Sequence, residues 1–184
     1  MIGFAIDDAG LRYVERFERK FASFLGVKYC VAVCSGTMAD TIALAVLKNL
    51  YPGKKKVIVP RLTFVAQINS ILYNGLKPVY EETSPKIDKD TLCYFPVHLL
   101  GKPTPIPRLK IPVIEDSCEA LGSKLNGKFC GTMGDMGTFS FFVTHTLSTG
   151  EGGAIVTNNK KYADLARILR NHGERPGEKF VFDF

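Results

Sequence analysis

A chain of 184 residues, 46% hydrophobic and 23% charged, holds enough apolar material for one substantial core and has neither a disordered nor a fibrous composition. No apolar run reaches the roughly 18 residues that a spanning helix needs, and the start MIGFAIDDAGLRYVERF lacks a basic region followed by a long apolar one. A membrane span and a signal peptide are therefore not expected, the cytoplasm is the default compartment, and the net charge of +6 suits an anionic ligand such as a phosphate or nucleotide. Five cysteines (Cys30, Cys34, Cys93, Cys118, Cys130) without a Cys-x-x-Cys pair argue for reduced thiols rather than a disulfide framework or a zinc knuckle. The dense basic run Lys54-Lys55-Lys56 reads as a solvated turn before a strand, so no nucleic-acid partner is expected.

From the N-terminus, Leu11, Val14, Phe17, Phe21 and Phe24 recur at steps of three and four, which predicts an amphipathic helix with Gly26 at its C-terminal cap. A short apolar strand at 29–33 leads into Cys34-Ser35-Gly36-Thr37, and 38–50 has helical spacing through Ile42, Ala43, Val46, Leu47 and Leu50. A strand, a tight Ser-Gly-Thr turn and a helix favour an anion through backbone N–H groups and the helix dipole, although Ser and Gly serve capping equally well there. Val57-Ile58-Val59-Pro60 reads as a buried strand, 63–74 as a helix ended by Gly75, and Pro78-Val79-Tyr80 as another strand. After a polar segment at 81–90, LCYFPVHL (92–99) and IPVI (111–114) read as strands, and 160–171 as a helix carrying Tyr162, Leu165, Ile168 and Leu169 on one face.

This alternation predicts an α/β fold, a single domain over 1–184, with a mostly parallel sheet covered by helices on both faces and its ligand at the carboxyl ends of the strands. The Ser-Gly-Thr turn and the end of the 111–114 strand are then expected at one edge. Beyond that strand, Glu115-Asp116 sets two adjacent carboxylates where desolvation calls for a positive partner such as a protonated heterocycle; alternatively, Asp116 caps the next turn or pairs with an arginine. The stretch 139–153, FSFFVTHTLSTGEGG, opens as a strand, passes through a polar turn holding His145, and ends in Gly150-Glu151-Gly152-Gly153. Three glycines within four residues mark backbone that bends sharply or closely approaches something else, and a β-hairpin with a glycine-rich turn is the plain reading.

The segments FASFLGVKYCVAVCSGT, KVIVPRLTFVAQINSILYNGLKPVY, FPVHLLG, PVIEDSCEALGS, GTMGDMGTFSFF, TGEGGAIVTNN and RNHG, in this order from Phe17 to Gly173, resemble the DegT/DnrJ/EryC1/StrS family of sugar aminotransferases. These are fold-type I pyridoxal-phosphate enzymes acting on nucleotide-linked keto sugars. The resemblance implies a fold-type I large domain that binds pyridoxal 5'-phosphate or pyridoxamine 5'-phosphate. It places Asp116 against the pyridine nitrogen and Gly36, Thr37 and Ser140 at the phosphate. It stacks Phe64 on the ring and sets Glu119 near the phenolic oxygen, where the aminotransferases usually have glutamine. Each of these residues also has a structural reading, Phe64 most readily as plain core.

Five residues after Ser140, where the aminotransferases carry the lysine that bonds to the cofactor, this chain has His145. Imidazole cannot hold the cofactor covalently in that way but can act as a general base near neutral pH. Lys160 and Lys161 follow the next strand and open a helix, so they do not replace it. His145 together with EDSCEALGS resembles the branch of the family that dehydrates 4-keto sugars at carbon 3 using the pyridoxamine form. The resemblance implies that His145 takes a proton from the cofactor's exocyclic carbon, that the reprotonated ring serves as acid when the 3-hydroxyl leaves, and that an amino donor such as glutamate regenerates the cofactor. Cys118 stands where part of that branch has the first ligand of an iron–sulfur cluster, but 171–178 contains no cysteine, which implies a cluster-free site and no metal.

Family members are about double this length and dimeric, with sites at the subunit interface. The resemblance therefore implies a homodimer, and a chain that is a fragment or a reduced relative ending at Phe184 before the small C-terminal domain, with apolar surface exposed by the truncation. The links 81–91 and 102–110 are also tight for parallel crossovers. Two classes stay open: an enzyme, with the sugar 3-dehydratase ahead of an aminotransferase whose lysine is displaced, and a catalytically silent half-domain.

Overall fold

Strand and helix alternate along most of the chain, as the apolar spacing requires. The computed structural model describes residues 8–81 and 86–173; residues 174–178 of the segment considered for further cysteines, and the side chain of Leu11, lie outside them. In chain order the elements are α1 (Asp8–Leu25), β1 (Tyr29–Val33), α2 (Gly36–Leu50), β2 (Lys56–Val59), α3 (Val65–Tyr73), β3 (Lys77–Tyr80) and β4 (Thr91–Tyr94). A 3-10 turn at Leu99–Gly101 follows, then β5 (Ile114–Asp116), a small hairpin of β6 (Lys124–Leu125) and β7 (Lys128–Phe129), β8 (Met136–Ser140), β9 (Gly153–Thr157) and α4 (Lys160–Arg170). None of the described helices is long and apolar enough to cross a membrane.

The strands β3-β2-β4 pair in parallel, β5 and β8 pair in parallel, and parallel bridges Tyr94 to Val113 and Val97 to Asp116 join the two groups. The sheet order is thus β3-β2-β4-β5-β8-β9-β1, with β9 antiparallel to both neighbours. The direction of β9 follows from its connection. Segment 141–152 contains no helix, so the chain returns beside β8 as a hairpin instead of crossing over.

Prolines displaced two of the expected strands. Pro96 has no N–H to donate, and the strand expected over 92–99 ends at Tyr94, with Val97 held only by its isolated bridge. The strand expected at 111–114 is formed instead by Ile114–Asp116: Pro112 cannot donate, and the Val113 N–H goes to Asp135 Oδ2 at 2.8 Å. Both carboxylates of the Glu115-Asp116 pair therefore sit within the strand.

Alternate strand residues serve opposite faces of the sheet. Val31 and Ile155 join Ala43, Leu44 and Leu47 of α2 and Ala163 of α4 in the larger core. Cys30, Ala154 and Val156, with Phe139, meet Phe21, Ala22 and Leu25 of α1 on the other side. Helix α1 is rotated from the expected stripe, for Val14 and Phe24 are 41% and 55% exposed while Ala22 and Leu25 are buried. Aromatic geometry accounts for this, because Phe21 makes edge contacts with Phe139 and Phe141 at 5.2 and 5.3 Å.

Turning Glu18 inward serves the outer edge of β1. Its Oε1 accepts from Ala32 N at 2.9 Å and from Arg170 Nη1 at 2.6 Å, while the same arginine nitrogen donates to Ala32 O at 3.1 Å. The basic run is also more occupied than a solvated turn. Lys54 Nζ donates to the carbonyls of Lys89 and Thr91, and Lys56 pairs with Asp88 at 2.5 Å, tying the 88–91 loop to β2.

Candidate active site

The N-terminus of α2 and the carboxyl ends of β5 and β8 converge on a cavity of about 440 Å³. Gly36, Thr37, Phe64, Asp116, Glu119, Ser140 and His145 all line it, so the turn at Gly36 and the end of β5 do lie at one edge of the sheet. Convergence depends on glycine. A Cβ on Gly36 would stand 2.7 Å from Ser140 Cβ and 2.8 Å from Cys118 Sγ, and one on Gly153 would stand 2.3 Å from the carbonyl oxygen of Ser35. The close approach expected of the glycine cluster is thus to the Ser35-Gly36 backbone. Ser35 caps α2, its Oγ accepting from Met38 N at 3.1 Å, and the first N–H groups of the helix have no acceptor within it.

The rim is more open. Phe64 precedes the first turn of α3 and is 63% exposed, so it is not part of the core. His145 is half-buried, its N–H bonded to the Phe142 carbonyl and its ring 6.2 Å from the Phe142 ring. Ser140 Oγ accepts from Phe142 N at 3.3 Å and so shapes the same turn. Glu119 Oε2 accepts from Leu100 N at 2.6 Å, holding a leucine at φ 52°, a left-handed conformation that costs a non-glycine residue about 1–2 kcal/mol. Lys160 and Lys161 lie at the start of α4, where Lys160 pairs with Asp164. Among the described residues lining the cavity none is a lysine.

The floor is acidic. Asp40 is 1% exposed and Asp116 4%, and one carboxylate oxygen of each lies, with Cys118 Sγ, within 4.8 Å of the others. Two full charges at that separation repel by roughly 3.5 kcal/mol at an effective dielectric of about 20, before either is desolvated. Burial first, and then the Asp116 charge, raises the Asp40 pKa well above the usual carboxylate range, with the Thr138 hydroxyl opposing. Burial likewise raises Asp116, against hydrogen bonds from Cys118, whose backbone N–H reaches Asp116 Oδ1 at 3.1 Å. Asp116 thus caps the next turn and faces the cavity at once. Burial and the two carboxylates push the Cys118 thiol up, so it keeps its proton and is a poor nucleophile or metal ligand. All five cysteines are free.

Three acidic side chains have surroundings that the sequence did not disclose. Glu115, on the strand beside Asp116, is fully buried and accepts from the N–H groups of Gly131 at 2.9 Å, Met133 at 2.6 Å and Gly134 at 2.5 Å, and from His98 Nε2 at 2.8 Å. Asp40 sits within a helix read for its apolar residues, although its spacing from Ala43, Leu44 and Leu47 already put it on the buried face. Glu151, taken only as part of a glycine-rich turn, lines the cavity.

A sheet of this order with its cavity at the strand ends is the large-domain fold of the fold-type I pyridoxal-phosphate transferases; an aminotransferase from Psychrobacter cryohalolentis superposes with TM-score 0.81 over 94% of this chain and 51% of its own, at 25% identity. The chain belongs to the DegT/DnrJ/EryC1/StrS aminotransferase family, which it matches over residues 9–183. GDP-perosamine synthase of Vibrio cholerae is 37% identical over 191 residues, covering 94% of this chain and 52% of that protein. A solved GDP-4-keto-6-deoxymannose-3-dehydratase, which holds a trapped PLP-glutamate geminal diamine, is 30% identical with TM-score 0.80, over 88% of this chain and 48% of its own. The chain spans about half the length of the curated relatives it matches.

Proposed function

We propose that this chain forms the cofactor-binding part of an enzyme that removes the 3-hydroxyl of a nucleotide-linked 4-keto-6-deoxy sugar, with His145 as the proton carrier. The observation that carries this reading is the cavity lining, which among the described residues offers a half-buried histidine and no lysine. The lining suits a phosphate-bearing aromatic heterocycle: a helix N-terminus for the phosphate, a buried carboxylate for a ring nitrogen, an exposed phenylalanine for a ring face, and an unpartnered buried oxygen on Asp40. Pyridoxal phosphate in its pyridoxamine form would supply an electron sink for carbanion chemistry.

The chain's own residues then divide the work. Backbone N–H groups of Gly36 and Thr37 and the hydroxyls of Thr37 and Ser140 bind the phosphate. The Asp116 carboxylate holds the ring-nitrogen proton, and Phe64 orients the ring. Glu119 fixes the Leu100 turn at the wall. With the cofactor bound, the imidazole of His145 would take a proton from the carbon next to the cofactor's amine and return it to the departing 3-hydroxyl, which would leave as water. Glutamate as amino donor draws support from the PLP-glutamate adduct in the related dehydratase. A homodimer is part of the same reading, as is a place in the cytoplasm.

The higher identity to a perosamine synthase favours an aminotransferase as the second reading. Adding pyridoxal phosphate, recording its absorbance, reducing with borohydride and measuring intact mass separates the readings. The expected result is a bound-cofactor spectrum with no covalent adduct, followed by loss of the 3-hydroxyl from a GDP-linked 4-keto-6-deoxy sugar when glutamate is present. A lysine adduct would establish the aminotransferase, and no binding would leave a silent half-domain. His145→Asn is expected to keep cofactor binding while lowering dehydration by about 10²–10⁴-fold.

A further inference from the structure

We propose that Asp40 and Asp116 carry a single negative charge between them at neutral pH, with the proton resident on Asp40. For its purpose this rests on the reading above, in which Asp116 faces a cationic ring; for its existence it rests on the cavity floor alone. Both side chains are almost wholly buried, one oxygen of each lies within 4.8 Å of the other, and Asp40 Oδ1 has no hydrogen-bond partner. Among the described residues neither carboxylate forms an ion pair.

The groups around the pair do not supply the missing cation. Cys118 and Glu119 follow β5, Thr138 on β8 offers a hydroxyl, and His145 and Glu151 lie on the cavity wall. His98 lies beside Asp116, whose carbonyl accepts its backbone N–H, but its ring is engaged with Glu115. With no cation in contact, a proton is the neutralising agent that the site itself supplies. Asp40 is the member to hold it, because Asp116 already accepts the Cys118 N–H, a bond that favours the anion, while Asp40 has only the Thr138 hydroxyl beside it and its Oδ1 accepts nothing. Asp40 is therefore a positioning residue: by staying neutral it leaves the charge on Asp116, where a ring nitrogen would meet it.

The direction with pH follows from linkage. A carboxyl whose folded pKa lies above its unfolded value binds a proton in the folded state that the unfolded chain has released. Stability then falls as pH rises from the ordinary aspartate range of about 3.9 up to the raised folded value, and levels off above it. In that window the ratio of wild-type to Asp40→Asn unfolding constants should rise tenfold per pH unit, the slope for one proton, because the amide variant has no proton to lose.

The test is urea unfolding of both proteins without cofactor across this range, with carbon NMR of aspartate-labelled wild type as the measurement that needs no variant. One buried carboxyl still protonated at pH 7 is the expected spectrum. Ordinary titration of both carboxyls, or a flat ratio, would overturn the proposal, as would a stoichiometric metal that chelator strips from wild type and that Asp40→Asn lacks. Pyridoxal phosphate is then titrated in separately. A protonated Asp40 with no cofactor binding would sink the functional reading and leave the acid pair, whereas binding without the proton would do the reverse.

Discussion

At Gly36 a single hydrogen atom decides whether three segments can meet. Gly36→Ala puts a methyl group 2.7 Å from Ser140 Cβ, both backbones being fixed by sheet and helix, and overpacking of this kind costs about 1–3 kcal/mol. Urea unfolding should show that loss, with weakened cofactor binding. Glu115 is the more expensive residue to remove. The Thr104 N–H donates to His98 Nδ1 at 2.9 Å, so that nitrogen must be the acceptor and Nε2 carries the proton given to Glu115. Glu115→Ala would strand this donor and three backbone N–H groups in the interior, and a loss of about 3–5 kcal/mol is expected from denaturant midpoints. Residues announced by spacing to a motif, such as Asp116 and His145, were legible in the sequence. The partners of Glu115 were not, because the N–H groups of Gly131, Met133 and Gly134 and the ring of His98 lie distant from it in the chain, and Asp40 was passed over among the apolar residues of its helix.

Among the elements, those with strong apolar periodicity were legible almost to the residue. Strand β1 and helix α2 stand where their spacing put them, and the hairpin of β8 and β9 follows the glycine-rich turn. Where the prediction slipped, a competing local rule won. Proline broke the ladder at 96 and 112 and moved two strand boundaries, and the tiny β6–β7 hairpin is too short to show alternation. In α1 the stripe of five apolar residues described a helix correctly but not its rotation, which the ring contacts of Phe21 set. Phe21→Ala removes the edge-on contacts to Phe139 of β8 and to Phe141 at the start of the His145 loop, and should cost about 3–5 kcal/mol by thermal or urea unfolding. A fall in cofactor affinity without any change at the cavity is expected to accompany it.

Taken as a whole, the molecule leaves large apolar side chains in water near the cavity: Leu62 is 73% exposed, Val65 60%, Leu100 83% and Val143 63%. Phe64 and Phe142 of the same segments line the cavity itself. Scattered residues of this kind are ordinary, but several beside one opening fit the proposed homodimer. Val143→Glu should therefore shift sedimentation velocity toward the monomer while leaving the fold intact, and an unchanged species distribution would remove these residues from any contact between copies. The outer rim of the sheet is guarded in another way. A strand at the end of a sheet is a template on which a foreign chain can add, and repetition of that addition builds fibrils. At Ala32 of β1 the template is filled in advance, because Glu18 takes the Ala32 N–H and Arg170 donates to its carbonyl, each reaching over from a helix. The two helices thus leave no free pair at that point for an incoming strand, and Arg170→Ala should shorten the lag before thioflavin-positive aggregates form.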